Sequence, residues 1–387
     1  MIYIVVFVVS CFLLMLAEKS EKQEQKLLNL TITKEKRRIL FVFFSSLGLL
    51  IPALLAGLRD PTIGTDVELY GNYWFEYTRK YSFIPYMEMA NQQSIGLVYA
   101  LLNYAVSFFS DDSKVFYFVL SLIETVLVYL GIRGFKDRIS VPFAMFCYYT
   151  IFYNNSLNLL RQMLAVSIVI YAYRFLVKEQ YAPAFILSVI ATFTHSSAVF
   201  AIILIFYSKI IKKLNTKTDV IFFSAMLFSV IAVIMLTYKN FLQLMIGFHV
   251  LPERYLTYME ETVVGGRLIR FGFWAFIAGI AFVSFSEMIN YDGRNKLLIS
   301  CISTSLAFSL VMFMGNVYAI RMSYFFDIAA IFFIPMIPKV IKLRIDGVGE
   351  FKYLSYIVLV VLLVSRWYLE YVRSLNGETY PYQFASL

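Results

Sequence analysis

Apolar residues occur along the chain in long runs separated by short polar segments, a pattern typical of a membrane protein built from helices. Each run is roughly long enough to cross a hydrocarbon layer of about 30 Å as a helix, and no soluble domain fits between the runs. The pattern predicts an all-α, polytopic protein with about twelve transmembrane helices. The twelve runs are Met1–Ala17, Ile39–Gly57, Val115–Ile132, Val141–Tyr153, Leu157–Val177, Tyr181–His195, Ser196–Tyr207, Asp219–Tyr238, Leu268–Glu287, Leu297–Met314, Arg321–Pro338 and Tyr353–Tyr368.

Basic residues cluster in polar segments that the positive-inside rule places in the cytoplasm. These segments are Glu18–Arg38, Arg133–Arg138, Lys209–Lys217, Arg294–Lys296 and Lys339–Lys352. The resulting topology predicts two larger external loops, at about 58–96 and 239–267. Residues 95–110 cannot also cross without moving a basic segment to the wrong side, so we interpret them as re-entrant or interfacial. The chain, 1–387, is predicted to form a single polytopic membrane domain.

Composition supports this class and excludes others. The chain is 60% hydrophobic and only 15% charged, whereas soluble domains average about 25% charged residues. The net charge of +9 reflects cytoplasmic lysines, so we do not expect nucleic acid as a partner. There is no P-loop, GxSxG or HExxH motif and no acidic pair with metal-ligand spacing, so we expect no cofactor and no metal site.

Arginine and lysine are distributed differently between the two predicted faces. The cytoplasmic side carries fifteen lysines and seven arginines, whereas the outer side carries three lysines and nine arginines. Arginine's planar fork binds phosphate oxygens in pairs, so the imbalance favours an anionic ligand, which we interpret as a lipid diphosphate. The alternative is that outer arginines only reach to lipid headgroups, which suits Arg366 and Arg373 equally well. The nine are Arg59, Arg79, Arg161, Arg254, Arg267, Arg270, Arg321, Arg366 and Arg373.

Two intramembrane arginines lie in polar patterns. Helical spacing predicts one polar face formed by Asn154, Asn158, Arg161 and Gln162 at the outer end of an apolar helix. The alternative role for Arg161 is a structural ion pair with Glu124 or Asp327.

A second helix carries Arg321, Tyr324 and Asp327 at i+3 spacing, and the two arginines are expected to converge. Asp327 is equally well explained by a structural role.

His195 lies at the turn between two short predicted helices, in a Thr194-His195-Ser196 sequence. Histidine takes a proton near neutral pH, so His195 is a candidate base for an attacking hydroxyl or a second donor to the diphosphate. The alternative is a cluster that only satisfies the backbone of the turn.

The first external loop contains Arg59, Gly64, Asp66 and Tyr70. A simple turn and helix cap explain this pattern; a functional interpretation directs Arg59 to a phosphate and Asp66 to a sugar hydroxyl. Aromatic residues in and after this pattern are expected to stack on sugars or to form an interfacial belt. They are Tyr70, Tyr73, Trp74, Phe75, Tyr77 and Tyr81.

These motifs, in this order and spacing, resemble the EpsG family of Wzy-like polymerases of bacterial exopolysaccharides, capsules and O-antigens. The residues that carry the resemblance are Arg59, Gly64-Thr65-Asp66, Tyr70, Arg161-Gln162, Ala165, Phe193–Ser197, Arg321–Phe326 and Pro381-Tyr382. The second loop is particular to this chain, so its specificity cannot be carried over.

The resemblance implies a multi-pass glycosyltransferase of the bacterial cytoplasmic membrane that joins oligosaccharide repeat units carried on undecaprenyl diphosphate. Arg161, Arg321 and Arg59 are expected to bind the donor diphosphate, and His195 or Asp66 to act on the acceptor hydroxyl. Further expected contacts to substrate come from Tyr70, Gln162, Arg254 and Tyr324. Proteins of polysaccharide export or chain-length control are further expected partners. The alternatives are a lipid-linked oligosaccharide flippase or transporter, and a polysaccharide ligase or membrane acyltransferase.

Overall fold

The computed structural model describes residues 1–21, 33–214, 216–248, 266–313, 319–344 and 349–385. These residues form helices and turns, with a single isolated β-bridge and no strand. The all-α fold class is therefore confirmed. The chain divides into two compact units, Met1–Ile202 with Gly377–Leu387 (unit 1) and Ile203–Asn376 (unit 2). The single membrane domain stays a prediction.

Unit 1 is built around four neighbouring helix pairs: α1 on α2, α2 on α6, α6 on α9 and α9 on α10. Its core is α9, whose residues are almost all buried. The helices are α1 Ile2–Glu21, α2 Lys34–Gly57, α3 Tyr73–Lys80, α4 Phe83–Gln92, α5 Leu97–Ser107, α6 Ser113–Arg133, α7 Val141–Tyr148, α8 Asn154–Asn158, α9 Leu160–Leu176 and α10 Tyr181–Thr194, with π-helical turns at Glu68–Asn72 and Tyr149–Tyr153 and a 3-10 turn at Ser196–Ala198.

Unit 2 is organised around α15, which packs against α12, α13 and α16. The helix α11 Val199–Lys213 leads into it from unit 1. The others are α12 Lys217–Gly247, α13 Arg267–Val283, α14 Phe285–Tyr291, α15 Asn295–Phe313, α16 Ala319–Asp327, α17 Ala329–Phe333, α18 Ile337–Arg344 and α19 Gly349–Trp367, with a 3-10 turn at Ile334–Met336 and a π-helical turn at Tyr368–Arg373.

Helix ends follow local sequence signals. Asp112 caps α6 by accepting a hydrogen bond from the Lys114 amide at 2.8 Å. Thr216 and Asp219 form a reciprocal capping box at the start of α12, with bonds of 3.1 and 2.9 Å. Such caps satisfy amides that have no partner within the helix, so they determine where the helices begin.

Within the described residues, seven helical segments are long and apolar enough to cross a membrane, or eight if the pair α13 and α14, bent by 70°, counts as one span. The chain is therefore a multi-pass membrane protein. The expected count of about twelve crossings is not confirmed, because several of the predicted runs are helices of only 14 to 17 residues, such as α9 and α10.

The predicted loops are partly helical. Residues 58–96 contain α3 and α4. The next helix, α5, has 11 residues and spans only about 16 Å, in keeping with a segment that does not cross the membrane by itself. The external loop at about 239–267 stays a prediction, and α12 continues into its first part, to Gly247. Residues 249–265, which include Arg254, lie outside the described part of the chain.

Candidate functional site

The helix that was predicted to carry Asn154, Asn158 and Arg161 on one face is broken at Leu159. Leu159 has φ −84° and ψ 56°, which ends α8 and lets α9 begin at the next residue. Ser156 Oγ, close to the break, donates to the Tyr153 carbonyl at 2.8 Å. In such bonds a side chain competes with the hydrogen bonds of the helix backbone. The prediction of one continuous polar face is therefore wrong, and its residues reach different partners.

Arg59 occupies the space beside this break. Its guanidinium is buried, donates to the Leu157 carbonyl at 2.7 Å and lies 4.5 Å from the centre of the Tyr117 ring. Carbonyls at the end of a helix have no partner within it, so Arg59 satisfies one that the break leaves open. Burial lowers the pKa of Arg59. In this position Arg59 supports the break from inside the protein.

The first predicted loop packs against Asn158. The Asn158 side-chain oxygen accepts from the Asp66 amide at 2.8 Å and from the Thr65 hydroxyl at 3.1 Å. Gly64 has φ 103°, and a Cβ there would lie 2.9 Å from the Leu157 carbonyl oxygen, so only glycine fits this turn. These contacts fix Asp66, whose side chain is half-exposed, beside the helix break.

Arg161, in the first turn of α9, is half-exposed and joins two segments. It donates to the carbonyls of Ser94 at 2.9 Å and Ile95 at 3.2 Å, and its guanidinium carbon lies 3.9 Å from the centre of the Tyr70 ring. Tyr70 follows Asp66 by one helical turn, with its amide bonded to the Asp66 carbonyl at 3.0 Å. Arg161 therefore lies beside the segment that carries Asp66 and Tyr70.

The turn at Ser94–Gly96 also meets the turn that carries His195. Gly96 has φ 92°, and a Cβ at this position would lie 2.1 Å from the Thr194 carbonyl oxygen. This direct backbone approach places the carbonyls bound by Arg161 next to the end of α10. Gly96 was not predicted as part of the site, although its position between a polar segment and an apolar helix is a signal of a turn.

Ser197 connects His195 to Gln162. The Ser197 hydroxyl lies 2.7 Å from Nδ1 of His195, and Gln162 Nε2 donates to the same hydroxyl at 3.3 Å. The Ser197 amide also donates to Nδ1, at 3.3 Å, so Nδ1 is an acceptor. Neutral His195 therefore carries its proton on Nε2, which makes this nitrogen a hydrogen-bond donor.

Unit 1 thus brings five of the predicted site residues into one connected group, which we call the Arg161 cluster. It consists of Asp66, Tyr70, Arg161, Gln162, His195 and Ser197, of which Ser197 was not among the predicted site residues. Asn158 and Ser94–Gly96 support it. Among the described residues, no three His, Cys, Asp or Glu side chains are arranged to hold a metal ion.

The C-terminal tail belongs to unit 1 and supports the same region. The Thr379 carbonyl accepts a hydrogen bond from the Tyr3 hydroxyl at 2.5 Å. The Thr379 hydroxyl accepts one from Asn154 Nδ2 at 2.9 Å. A β-bridge joins Arg59 to Phe384, with the Asp60 amide donating to the Gln383 carbonyl at 2.9 Å. The Pro381-Tyr382 segment noted in the sequence is therefore part of this packed tail.

Unit 2 contains a different kind of arginine site. Arg270 is buried and forms an ion pair with Asp327, and it donates to the Ser323 hydroxyl at 2.9 Å. Its second nitrogen lies 3.9 Å from Glu370. Asp327 therefore has a structural ion pair, and its partner is Arg270, not Arg161 as one alternative held.

Arg366 completes this group, since its guanidinium lies 2.5 Å from Glu370 and both side chains are buried. The alternative that Arg366 only reaches to lipid headgroups is wrong, because the side chain is enclosed. The i, i+4 spacing of the two residues was a signal for the pair that the sequence analysis overlooked.

The remaining predicted residues of unit 2 lie on α16. Arg321 is half-exposed in the first turn of this helix, and Tyr324 is buried, with the Arg270 guanidinium 5.4 Å from its ring centre. The predicted i+3 arrangement of Arg321, Tyr324 and Asp327 on one helix is confirmed.

Comparison with known proteins gives one family and one relative. The model of the EpsG family matches residues 39–384, which is most of the chain. The amylovoran biosynthesis protein AmsC of Erwinia amylovora is 26% identical over 167 residues, a match that covers 43% of this chain and 44% of the relative. The chain therefore matches less than half the length of that relative. No solved structure matches the chain.

Proposed function

Because the chain belongs to the EpsG family, we propose that it is a polysaccharide polymerase of the bacterial cytoplasmic membrane. In this proposal it joins oligosaccharide repeat units carried on undecaprenyl diphosphate at the outer face, in exopolysaccharide, capsule or O-antigen biosynthesis. The similarity to a protein named for amylovoran biosynthesis supports a biosynthetic role. Proteins of export or chain-length control are the further proposed partners.

The Arg161 cluster is the observation that carries the proposal. Transfer of a sugar from a lipid diphosphate requires a group that stabilises the charge developing on the leaving diphosphate, and a group that accepts the proton of the attacking hydroxyl. Arg161 donates to two carbonyls and lies against an aromatic ring, and these contacts orient its fork. Such a preorganised guanidinium is suited to bind phosphate oxygens.

The hydrogen bonds of His195 support different tasks for the two predicted catalytic residues. His195 uses Nδ1 as an acceptor and carries its proton on Nε2, so it is suited to donate to a diphosphate oxygen and unsuited, in this tautomer, to act as a base. We therefore assign acceptor deprotonation to Asp66 and diphosphate binding to Arg161 and His195, with Gln162 and Ser197 positioning His195.

Four further residues complete the assignment. Arg59, buried against Leu157, positions the helix break instead of contacting the diphosphate. Arg321 is proposed as a further phosphate-binding residue. Tyr324, whose ring centre lies 5.4 Å from the Arg270 guanidinium, is proposed to support a substrate contact. Arg254 keeps its predicted role in substrate binding as part of the same proposal.

The test is reconstitution of the purified full-length protein in vesicles with lipid-linked repeat units. Wild-type protein should produce a ladder of polymer. Arg161→Lys and Arg321→Lys should each lower polymer formation by roughly 10²- to 10³-fold while the protein remains folded in the membrane. Arg79→Lys is the matched control, because Arg79 is half-exposed in a surface ion pair with Asp111 at 3.4 Å and should keep wild-type activity.

The other two functions give different products in this assay. Movement of the lipid-linked unit across the bilayer without elongation would show a flippase, and a single transfer to another acceptor would show a ligase or acyltransferase. If Arg161→Lys made polymer with the wild-type distribution of chain lengths, this would contradict a role of Arg161 in binding the diphosphate.

A further inference from the structure

Three tyrosines form a continuous stripe along α3 and its end. The ring centres of Tyr73 and Tyr77 are 4.2 Å apart, and those of Tyr77 and Tyr81 are 5.4 Å apart. Their i, i+4 and i+8 spacing places them on neighbouring turns, so the stripe is about 12 Å long. This is long enough to lie along a short oligosaccharide.

Burial separates these tyrosines from the other aromatic residues of the segment. Tyr73 is 48% exposed and Tyr81 is 41% exposed, whereas Trp74 is 4% and Phe75 is 2% exposed. The buried pair forms the core beneath α3, and the rings of Tyr73 and Tyr77 meet Trp74 edge-on, with ring centres 6.1 and 5.7 Å apart. The stripe therefore packs on this core through Trp74, while Tyr73 and Tyr81 are exposed and Tyr77 is half-buried, and packing does not account for the open surface.

The surface beside the stripe is polar. Glu76 and Lys80 form an exposed ion pair at 2.8 Å on the same face of α3, so this face contacts water or headgroups and not acyl chains. The hydroxyls of Tyr73 and Tyr77 are hydrogen-bonded to each other, and this bond raises the pKa of Tyr77 to about 12. The Tyr77 phenol therefore stays protonated at neutral pH and keeps a hydroxyl suited to bond to sugar oxygens.

The stripe leads directly to the Arg161 cluster. Tyr70, whose ring lies under Arg161, precedes Tyr73 by three residues in the continuous run of π- and α-helix from Glu68 to Lys80. A sugar chain whose terminal diphosphate is bound by Arg161 has its first sugars at this end of α3. A row of tyrosine rings is suited to the apolar faces of sugars, with hydroxyls at the edges.

We propose that Tyr73, Tyr77 and Tyr81 form a carbohydrate-binding track that holds the sugars next to the donor diphosphate and thereby sets the length of the polymer. This inference rests on the proposed function for the identity of the lipid-linked donor. The track retains the growing chain between transfers. Its loss therefore shortens the product, because a weakly held chain leaves the protein earlier.

The decisive variant replaces all three tyrosines by leucine. Leucine keeps an apolar surface for lipid contact but removes the aromatic faces and hydroxyls, so a role as an interfacial belt predicts a wild-type polymer ladder. The track predicts an apparent KM for donors with long chains that is about tenfold higher, and a shorter mean product, with replacement by phenylalanine giving an intermediate result. Tyr368→Leu and Phe109→Leu, at exposed aromatic positions elsewhere, are the controls and should keep the wild-type ladder.

A binding measurement separates this inference from the proposed function. The probe is a soluble oligosaccharide of two repeat units cut from the polymer of the source strain, titrated into the purified full-length protein in a calorimeter. Binding that weakens about tenfold in the leucine variant supports the track even if the protein does not polymerise. Equal binding and equal ladders for wild type and variant would overturn the track, whatever the outcome for the polymerase.

Discussion

Arg161 in unit 1 and Arg270 in unit 2 were both predicted to lie at the outer face, but their surroundings differ. Arg161 is half-exposed and is oriented by the carbonyls of Ser94 and Ile95 and by the Tyr70 ring. Arg270 is buried and is paired with the carboxylate of Asp327, with Glu370 close by. The bonds to carbonyls and the ring contact hold the Arg161 guanidinium near the surface, whereas buried carboxylates enclose that of Arg270.

This difference shows that counting arginines on one face is not enough to locate an anion site. Two of the nine arginines, Arg270 and Arg366, belong to an enclosed group with two carboxylates. Such a group serves the packing of unit 2, because an unpaired charge among buried helices is strongly unfavourable.

The largest expected effect on folding is that of Arg270→Met. It leaves Asp327 buried without its main partner, so it should destabilise the protein by roughly 3–5 kcal/mol. Arg161→Met should cost about 1–2 kcal/mol, because the bonds to the Ser94 and Ile95 carbonyls that it removes lie near the surface. Thermal unfolding in detergent measures both. The double variant Arg270→Met/Asp327→Leu should recover much of the lost stability. Equal destabilisation by Arg161→Met and Arg270→Met would show that the two arginines do not differ in their structural role.

His195 tests the proposed stabilisation of a diphosphate in unit 1. His195→Ala should lower the rate of polymer formation by about 10²- to 10³-fold, because a positioned donor is lost. His195→Gln should keep at least about a tenth of the wild-type rate, since the amide nitrogen can donate in place of Nε2. The measurement is the initial rate with lipid-linked units. A glutamine variant as inactive as alanine would instead favour histidine as the base.

Gly96→Ala tests whether the backbone contact between the two turns positions Arg161 and His195. The new Cβ would lie 2.1 Å from the Thr194 carbonyl oxygen at a positive φ, so strain of about 1–3 kcal/mol should separate the turns and lower activity. Gly279→Ala in α13 is the control, since no atom lies within 4 Å of the added carbon. Unchanged activity in Gly96→Ala would show that the cluster does not depend on this contact.

The smallest effect is expected for Thr379→Val in the tail of unit 1. This change keeps the carbonyl that accepts from Tyr3 and removes the hydroxyl that accepts from Asn154, so it should cost about 1 kcal/mol. A double-mutant cycle with Asn154→Ala, measured by thermal unfolding, should give a coupling energy of the same size. Additive effects would mean that this bond does not support the helix break.

Sequence patterns predicted the parts that depend on short-range spacing. The turn at His195, the 14-residue length of α10 and the order of residues on α16 follow from helical period and polar interruptions. The break at Leu159 was not predicted, because the helical spacing of Asn154, Asn158 and Arg161 continues through it.

Long-range partners could not be derived from the sequence. Whether Asp327 pairs with Arg161 or Arg270 depends on how helices pack, and spacing along the chain does not determine it. The same holds for Arg59, whose position in a loop motif gave no sign that it would turn inward to Leu157. The Arg366 and Glu370 pair differs, since its i, i+4 spacing makes it readable from sequence.

The central claim is that Arg161 belongs to a site for a lipid diphosphate, and direct binding tests it most simply. Undecaprenyl diphosphate and undecaprenyl monophosphate are compared as ligands of the purified wild-type protein and of Arg161→Lys by native mass spectrometry. We expect the wild type to prefer the diphosphate by about tenfold and the lysine variant to lose this preference. Equal affinity of the wild type for both lipids, unchanged by the substitution, would contradict the claim.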